Sequence, residues 1–119
     1  MSPAAGTAIR REDDGHVRRR VLCRPGEYNT ITPGLRDELG DALDAAERDD
    51  GVRVVLLCAE GPAFCAGFGL DWSTAGPATA GAGTPAPVWD SVADVEMIGT
   101  FGRTFARLHE ISKPTIAAV

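Results

Sequence analysis

Residues 61–70, GPAFCAGFGL, are the stretch of this sequence best suited to chemistry, and that chemistry belongs to backbone amides. Successive N–H groups in a glycine-containing turn can point one way and form a concavity for an anion. Set opposite a second amide, such a turn stabilises the negative oxygen of an enolate or a tetrahedral intermediate. The same small residues also suit an ordinary strand-to-helix connection. Residue types alone leave both readings open.

Other reactive patterns are missing from the 119 residues. There is no GxxxxGK phosphate loop and no GxSxG, and Ser73, Ser91 and Ser112 have no nucleophile context. Gly67 and Gly69 make a GxG whose third glycine is replaced by Trp72. His109-Glu110 lacks the second histidine of a zinc-protease helix and reads as a helix-end surface pair; His16 reads as a hairpin-turn residue. Cys23, Cys58 and Cys65 form no CxxC and have no histidine cluster beside them. They predict buried or half-buried thiols, not a disulfide framework, and no metal site is expected.

The elements that must hold the 61–70 loop can be read outward from it. VRVVLLC (52–58) is a nearly continuous apolar run, the pattern of a strand buried on both faces. The loop therefore leaves the carboxyl end of that strand, the edge at which strand–helix alternating folds bind ligands. Upstream, AIRRE and HVRRRVLCR flank Asp14-Gly15, which predicts a hairpin over 8–24 closed by Pro25-Gly26. Thr32-Pro33 is a helix start, a hydroxyl cap followed by proline at the first helical position. Leu35, Leu39, Ala42, Leu43 and Ala46 then give an apolar stripe to about Arg48, with Gly51 ending the element. Asp37, Glu38, Asp41, Asp44 and Glu47 fall on the other faces and read as solvated.

Downstream, residues 73–87 (STAGPATAGAGTPAP) are low-complexity and predict a mobile loop. Trp89, Val92, Val95, Ile98, Phe101, Phe105 and Leu108 recur at helical spacing and predict one core-facing stripe, ended by Lys113-Pro114. TIAAV (115–119) begins another buried-strand pattern. Termini are usually polar and exposed, so a chain closing on its most apolar segment reads as cut.

Composition fits a globular protein: 44% hydrophobic and 24% charged residues exclude collagen-like and wholly disordered chains. No stretch approaches a membrane span of about 18 apolar residues, and MSPAAGTAIRREDDG lacks the apolar core of a signal peptide, so the expected compartment is the cytoplasm. The net charge of −5 is uneven. Residues 1–24 carry six arginines against three acids, and 25–60 carry three arginines against nine acids. Arg18, Arg19 and Arg20 do not make a nucleic-acid patch, because neighbours on a strand point to opposite faces.

The order of the blocks is informative. RPGEYNTI, an amphipathic helix, DDGVRVVLLCAEGPAFCAGFGL, a low-complexity loop, a helix and KPTIAAV together resemble the crotonase superfamily of enoyl-CoA hydratases and isomerases over about residues 14–119. GPAFCAGFGL is the most specific block. The resemblance implies an α/β fold with the ββα-type spiral core of the ClpP/crotonase class, truncated. Residues 1–7 would be a disordered N-terminus, and 8–119 the N-terminal part of the domain.

The resemblance also implies roles. The Phe68 N–H would be the first oxyanion-hole donor, and the Ala66 carbonyl would receive the adenine amino group of coenzyme A. The turn from Arg24-Pro25 to Asn29 would lie beside the coenzyme A moiety, with Gly67 completing the binding loop. Fixed amides aimed at a thioester oxygen lower the barrier by on the order of 3 kcal/mol per donor. Where the family often has Asp, this chain has Gly69, which bears on substrate choice. Where it often has a basic residue, this chain has Glu27, which weakens coenzyme A contacts. Neither change removes a backbone donor. The loop 73–87 and the Trp89 helix would line the acyl pocket.

The expected function is hydration of a 2-enoyl-CoA, or a sibling isomerisation or hydrolysis, with coenzyme A as part of the substrate and no separate cofactor. The family's second oxyanion donor and acid/base carboxylates lie after the strand that TIAAV starts, and Asp71, Asp90, Asp94 and Glu96 match none of its catalytic positions. The chain alone is therefore expected to be inactive. Partners would be the acyl-CoA thioester and, at full length, further copies in a trimer or hexamer, with no nucleic acid or membrane. Two alternatives stand beside this: a non-catalytic chain that associates with a full-length homologue, and a nucleotide-binding α/β domain.

Overall fold

The structure, a computed structural model, describes residues 7–68 and 90–119. The first six residues and the 73–87 segment lie outside that range, as do Gly69, Trp72 and Trp89.

The hairpin forms as the Asp14-Gly15 signal predicts, one position later. Strand β1 (Ile9–Asp14) pairs antiparallel with β2 (Val17–Leu22), and the two loop residues are Gly15 and His16. Gly15 takes φ +58°, the left-handed conformation that a two-residue hairpin demands of a central residue. Alternation along β2 separates the three arginines: Arg18 is buried, Arg19 exposed and Arg20 between the two. The Arg18 guanidinium reaches Asp13 at 3.1 Å and Asp49 at 2.7 Å, so its burial is matched by two carboxylates.

Helix α1 (Pro33–Arg48) starts where its cap dictates, with Thr32 Oγ1 accepting the Leu35 N–H at 3.1 Å. Its stripe of Leu35, Leu39, Ala42, Leu43 and Ala46 is buried. The helix ends at Asp49, not at Gly51; the Gly51 N–H donates to Asp49 Oδ1 at 2.9 Å in the following turn. Lys113 Nζ donates to the carbonyls of Ala46 and Asp49, satisfying acceptors that a helix end leaves open.

Strand β3 (Val54–Ala59) runs parallel to β2, and β4 (Thr115–Ala117) runs parallel to β3. The sheet order is β1-β2-β3-β4. Parallel neighbours need crossovers. α1 supplies the first, and α2 (Ser91–Glu110) lies between β3 and β4. The main core joins Ala8, Ile9, Leu22, Leu35, Leu39 and Leu43. β3 is half-buried, with Val55 its one buried residue, because only part of each sheet face is covered.

Further expectations need correction: β3 is not buried on both faces, and the 115–119 segment is not a buried strand, since β4 is three residues long with Ile116 exposed. The apolar stripe of α2 is not uniformly core: Phe101 is buried and Phe105 and Leu108 are half-buried, but Val92, Val95 and Ile98 are exposed. α2 meets α1 through its C-terminal half, where Arg107 pairs with Asp44 and donates to the Gly40 carbonyl. The acids of α1 are also not merely solvated. Glu38 accepts the Ala8 N–H with both oxygens, at 2.9 and 2.8 Å, and Glu47 accepts the Ser112 N–H at 3.1 Å. Asp44, Glu38 and Glu47 thus tie α1 to α2, to the start of β1 and to the link into β4.

The three cysteines are half-buried and free, as expected. Burial pushes the Cys23 thiol up from its ordinary value. Among the described residues, no helix is long and apolar enough to cross a membrane.

Candidate functional site

The site is built from two backbone segments laid side by side, 24–31 and 60–68. The first begins with a single turn of 3-10 helix, Pro25–Glu27, in which the Tyr28 N–H donates to the Pro25 carbonyl at 3.1 Å. Tyr28 and Asn29 then both take left-handed conformations, φ 55° and 53°. Asparagine tolerates this region because its short side chain bonds locally. Here the Asn29 Oδ1 accepts the Arg24 N–H at 2.8 Å, while the Asn29 N–H donates to the Arg24 carbonyl at 3.0 Å.

The other end of the Asn29 amide crosses to the second segment. Nδ2 donates to the carbonyls of Glu60, at 2.9 Å, and Ala63, at 3.0 Å. Asn29 is 2% exposed, so both donors and the acceptor are spent on backbone in a dry setting. Two further backbone bonds hold the register. The Ala66 N–H donates to the Tyr28 carbonyl at 3.0 Å, and the Ile31 N–H to the Gly67 carbonyl at 2.8 Å.

Glycine is required at two points. Gly61 has φ +88°, and a Cβ there would stand 2.5 Å from the Pro25 Cβ, so the two segments approach as closely as they do only without a side chain. Gly67 has φ +92° with nothing within 4 Å of a Cβ position; there the conformation, not the space, selects glycine. Because a trans peptide directs its C=O and N–H oppositely, anchoring the Gly67 carbonyl on Ile31 aims the Phe68 N–H away from Ile31. Amide orientation at the carboxyl end of β3 is thereby set by backbone bonds.

The predicted residues come together, with distinct duties. Arg24, Asn29, Ala66, Gly67 and Phe68 all belong to this two-segment unit. Ala66 and Phe68 are exposed on it. The Asn29 side chain faces inward and positions the loop. The Arg24 guanidinium pairs with Glu27 and donates to the Thr30 carbonyl at 3.4 Å, so the acid at position 27 engages the arginine of its own turn. Arg10 pairs with Glu60 at the loop's start, which raises the already high Arg10 pKa.

Sequence reading missed two residues beside the site and a cavity that borders it. The Phe68 ring meets Phe101 edge to face, centroids 5.2 Å apart, and the Arg36 guanidinium lies 4.8 Å from the Phe101 centroid. Phe101 carried a core signal and nothing linking it to the loop. An apolar cavity of about 250 Å³ also borders the loop through Phe64 and Cys65, with Ile31, Leu35, Phe105 and Leu108 among its walls.

Comparison with known proteins shows the family. The family described as enoyl-CoA hydratase/isomerase matches residues 15–119. EchA13 of Mycobacterium tuberculosis, provisionally named an enoyl-CoA hydratase, is 52% identical over 58 residues, covering 49% of this chain and 18% of that protein. The 1,2-epoxyphenylacetyl-CoA isomerase of Escherichia coli K12 is 32% identical over 108 residues, covering 87% of this chain and 38% of the isomerase. The crystal structure of an enoyl-CoA hydratase from Mycobacterium smegmatis superposes with a TM-score of 0.76 at 28% identity, over 97% of this chain and 41% of that one. The chain thus spans well under half the length of these relatives. A family match over residues 15–119 supersedes the reading as a nucleotide-binding domain. With its fold, its AFCAG loop and its relatives in agreement, the chain belongs to the enoyl-CoA hydratase/isomerase family and has the crotonase α/β fold, of which it carries a part.

Proposed function

We propose that this chain provides the acyl-CoA-binding part of a 2-enoyl-CoA hydratase, with the Phe68 N–H as one oxyanion donor. In the reaction, water oxygen bonds to C3 and the C2=C3 π electrons shift toward the thioester oxygen. The attacking water gives up one proton to a base, and one proton is delivered to C2 as the carbonyl reforms, so the net addition is OH at C3 and H at C2. An amide aimed at that oxygen favours the enolate over the neutral thioester. The single observation that carries the reading is the Gly67–Phe68 peptide, anchored through the Gly67 carbonyl on Ile31 at 2.8 Å. Arg24, Ala66 and Gly67 form the coenzyme A-binding side, Ala66 through its carbonyl, and the buried Asn29 positions that side from beneath. Coenzyme A enters as part of the substrate, and no separate cofactor is needed. The cavity beside Phe64 and Cys65 is apolar and suits an aliphatic acyl group.

The chain alone is proposed to bind crotonyl-CoA without hydrating it, since a single donor with no assigned acid/base carboxylate leaves most of the barrier in place. Calorimetric titration with crotonyl-CoA, paired with an ultraviolet assay of loss of the enoyl thioester, tests both halves. Absence of binding sinks the first, and turnover above background sinks the second.

A second reading is favoured by the exposed Val92, Val95 and Ile98 of α2 together with Ile116 on the edge strand β4. In it the chain is non-catalytic and associates with a longer homologue, while trimers or hexamers belong to the full-length protein. An exposed strand edge invites such pairing. Sedimentation velocity across a concentration series decides it: a concentration-independent monomer is the contrary result.

A further inference from the structure

The anionic end of a ligand is recognised by guanidinium and ammonium groups, so the cations around the two-segment site bear on what it can hold. Residues 60–68 contain no lysine or arginine, and neither does the stretch 69–89 that follows. Segment 24–31 contributes Arg24 alone. Arg10 reaches the start of the loop from β1. Arg36 approaches from the first turn of α1, 4.8 Å from the centroid of Phe101, whose ring meets Phe68.

Each of these three guanidinium groups already holds a carboxylate. Arg24 pairs with Glu27, Arg10 with Glu60, and Arg36 with Asp37 at 3.0 Å. The first two pairs stand at one junction, since the Asn29 side chain accepts the Arg24 N–H and donates to the Glu60 carbonyl. Within the Arg24 pair the acid faces outward. The Arg24 side chain is 24% exposed and also donates to the Thr30 carbonyl, whereas Glu27 is 59% exposed. A phosphate arriving at Arg24 exchanges one charge-assisted bond for another and meets the Glu27 carboxylate as a like charge. The uncharged pantetheine arm of coenzyme A meets neither obstacle.

We infer that Glu27, by holding Arg24, sets the carrier specificity of the site, which takes pantetheine thioesters as readily as coenzyme A thioesters. The inference rests on the proposed acyl-thioester reading and deepens it. It widens the substrate class to thioesters whose carrier lacks the nucleotide phosphates.

Calorimetric titration of the 119-residue chain with crotonyl-CoA and with crotonyl-pantetheine tests it. Wild type should bind the two within about threefold of each other, with a ratio that holds from low to high salt. Glu27→Gln should tighten crotonyl-CoA about fivefold or more at low salt and leave crotonyl-pantetheine unchanged. That gain should fade as salt rises. Adding Arg24→Gln to Glu27→Gln should return the coenzyme A thioester to its wild-type affinity. A merely structural role for Glu27 would move both thioesters together and overturn the inference. So would a wild-type preference for crotonyl-CoA of about tenfold or more, or a Glu27→Gln chain that gains nothing. Failure of both thioesters to bind overturns the acyl-thioester reading instead. The Arg24 Nε–H resonance then decides the role of Glu27 by itself. Inorganic pyrophosphate should leave it in place in wild type and shift it saturably in Glu27→Gln, and an equal response in the two chains is the contrary result.

Discussion

Asn29 and Glu60 are 31 positions apart in sequence, and the Asn29 amide nitrogen donates to the Glu60 carbonyl at 2.9 Å. The same nitrogen donates to Ala63, and the amide oxygen accepts from Arg24. One buried side chain therefore joins the turn before α1 to the loop after β3. The Gly67–Phe68 peptide depends on that junction for its place.

Removing the Asn29 amide strands three backbone groups. Asn29→Ala should cost about 1–3 kcal/mol of folding stability, because the half-buried carbonyls of Glu60 and Ala63 and the Arg24 N–H lose their partner in the Asn29 side chain. Asn29→Asp should also be destabilising, since it sets a carboxylate oxygen against two carbonyls. Urea denaturation followed by circular dichroism checks both, and a loss under about 0.5 kcal/mol for the alanine variant would contradict the junction.

The two left-handed glycines should respond differently to alanine. Gly67→Ala meets no atom and should cost the backbone strain alone, about 1–3 kcal/mol. Gly61→Ala adds a 2.5 Å approach to Pro25 and should cost more, with the 24–31 segment displaced. Thermal unfolding of the two variants side by side gives the order; equal losses would count against the close approach.

Acid should weaken the fold through Asp13 and Asp49. The Arg11 and Arg18 guanidinium groups hold the Asp13 carboxyl well below the usual carboxylate range. The Gly51 N–H, and after it Arg18, lower Asp49. A carboxylate whose folded pKa is depressed contributes stability above its unfolded value and loses it as pH falls toward the folded one. Stability should therefore decline from about pH 4 downward. Asp13→Asn with Asp49→Asn should flatten that decline in urea midpoints measured from pH 7 to pH 2.5. An unchanged acid slope would be the contrary finding.

Much of the frame was legible in the sequence for local reasons. Asp14-Gly15 marked the hairpin, Thr32-Pro33 marked the start of α1, and its apolar spacing marked the buried face. Those signals act over a few residues. The AFCAG block and its order among its neighbours pointed to the family and to the loop. What was not legible depends on distant partners. Nothing near Asn29 says that its amide reaches Glu60 and Ala63, and nothing near Glu38 says that it binds the amides that open β1. The stripe of α2 misled for the opposite reason: spacing identifies an apolar face, but not whether anything covers it, and Val92, Val95 and Ile98 are exposed.

The Asn29 junction also has a consequence for the order of events in folding. Its two ends are joined through α1 and β3, and the parallel pairing of β2 with β3 must close that long loop before Asn29 can find the Glu60 carbonyl. Contacts of such sequence separation are completed after local ones. The Gly67–Phe68 peptide is thus expected to take its place late, when the sheet is already assembled. Substitutions at Asn29 should accordingly hasten unfolding and leave the folding rate nearly untouched, the signature of a structure consolidated on the native side of the barrier.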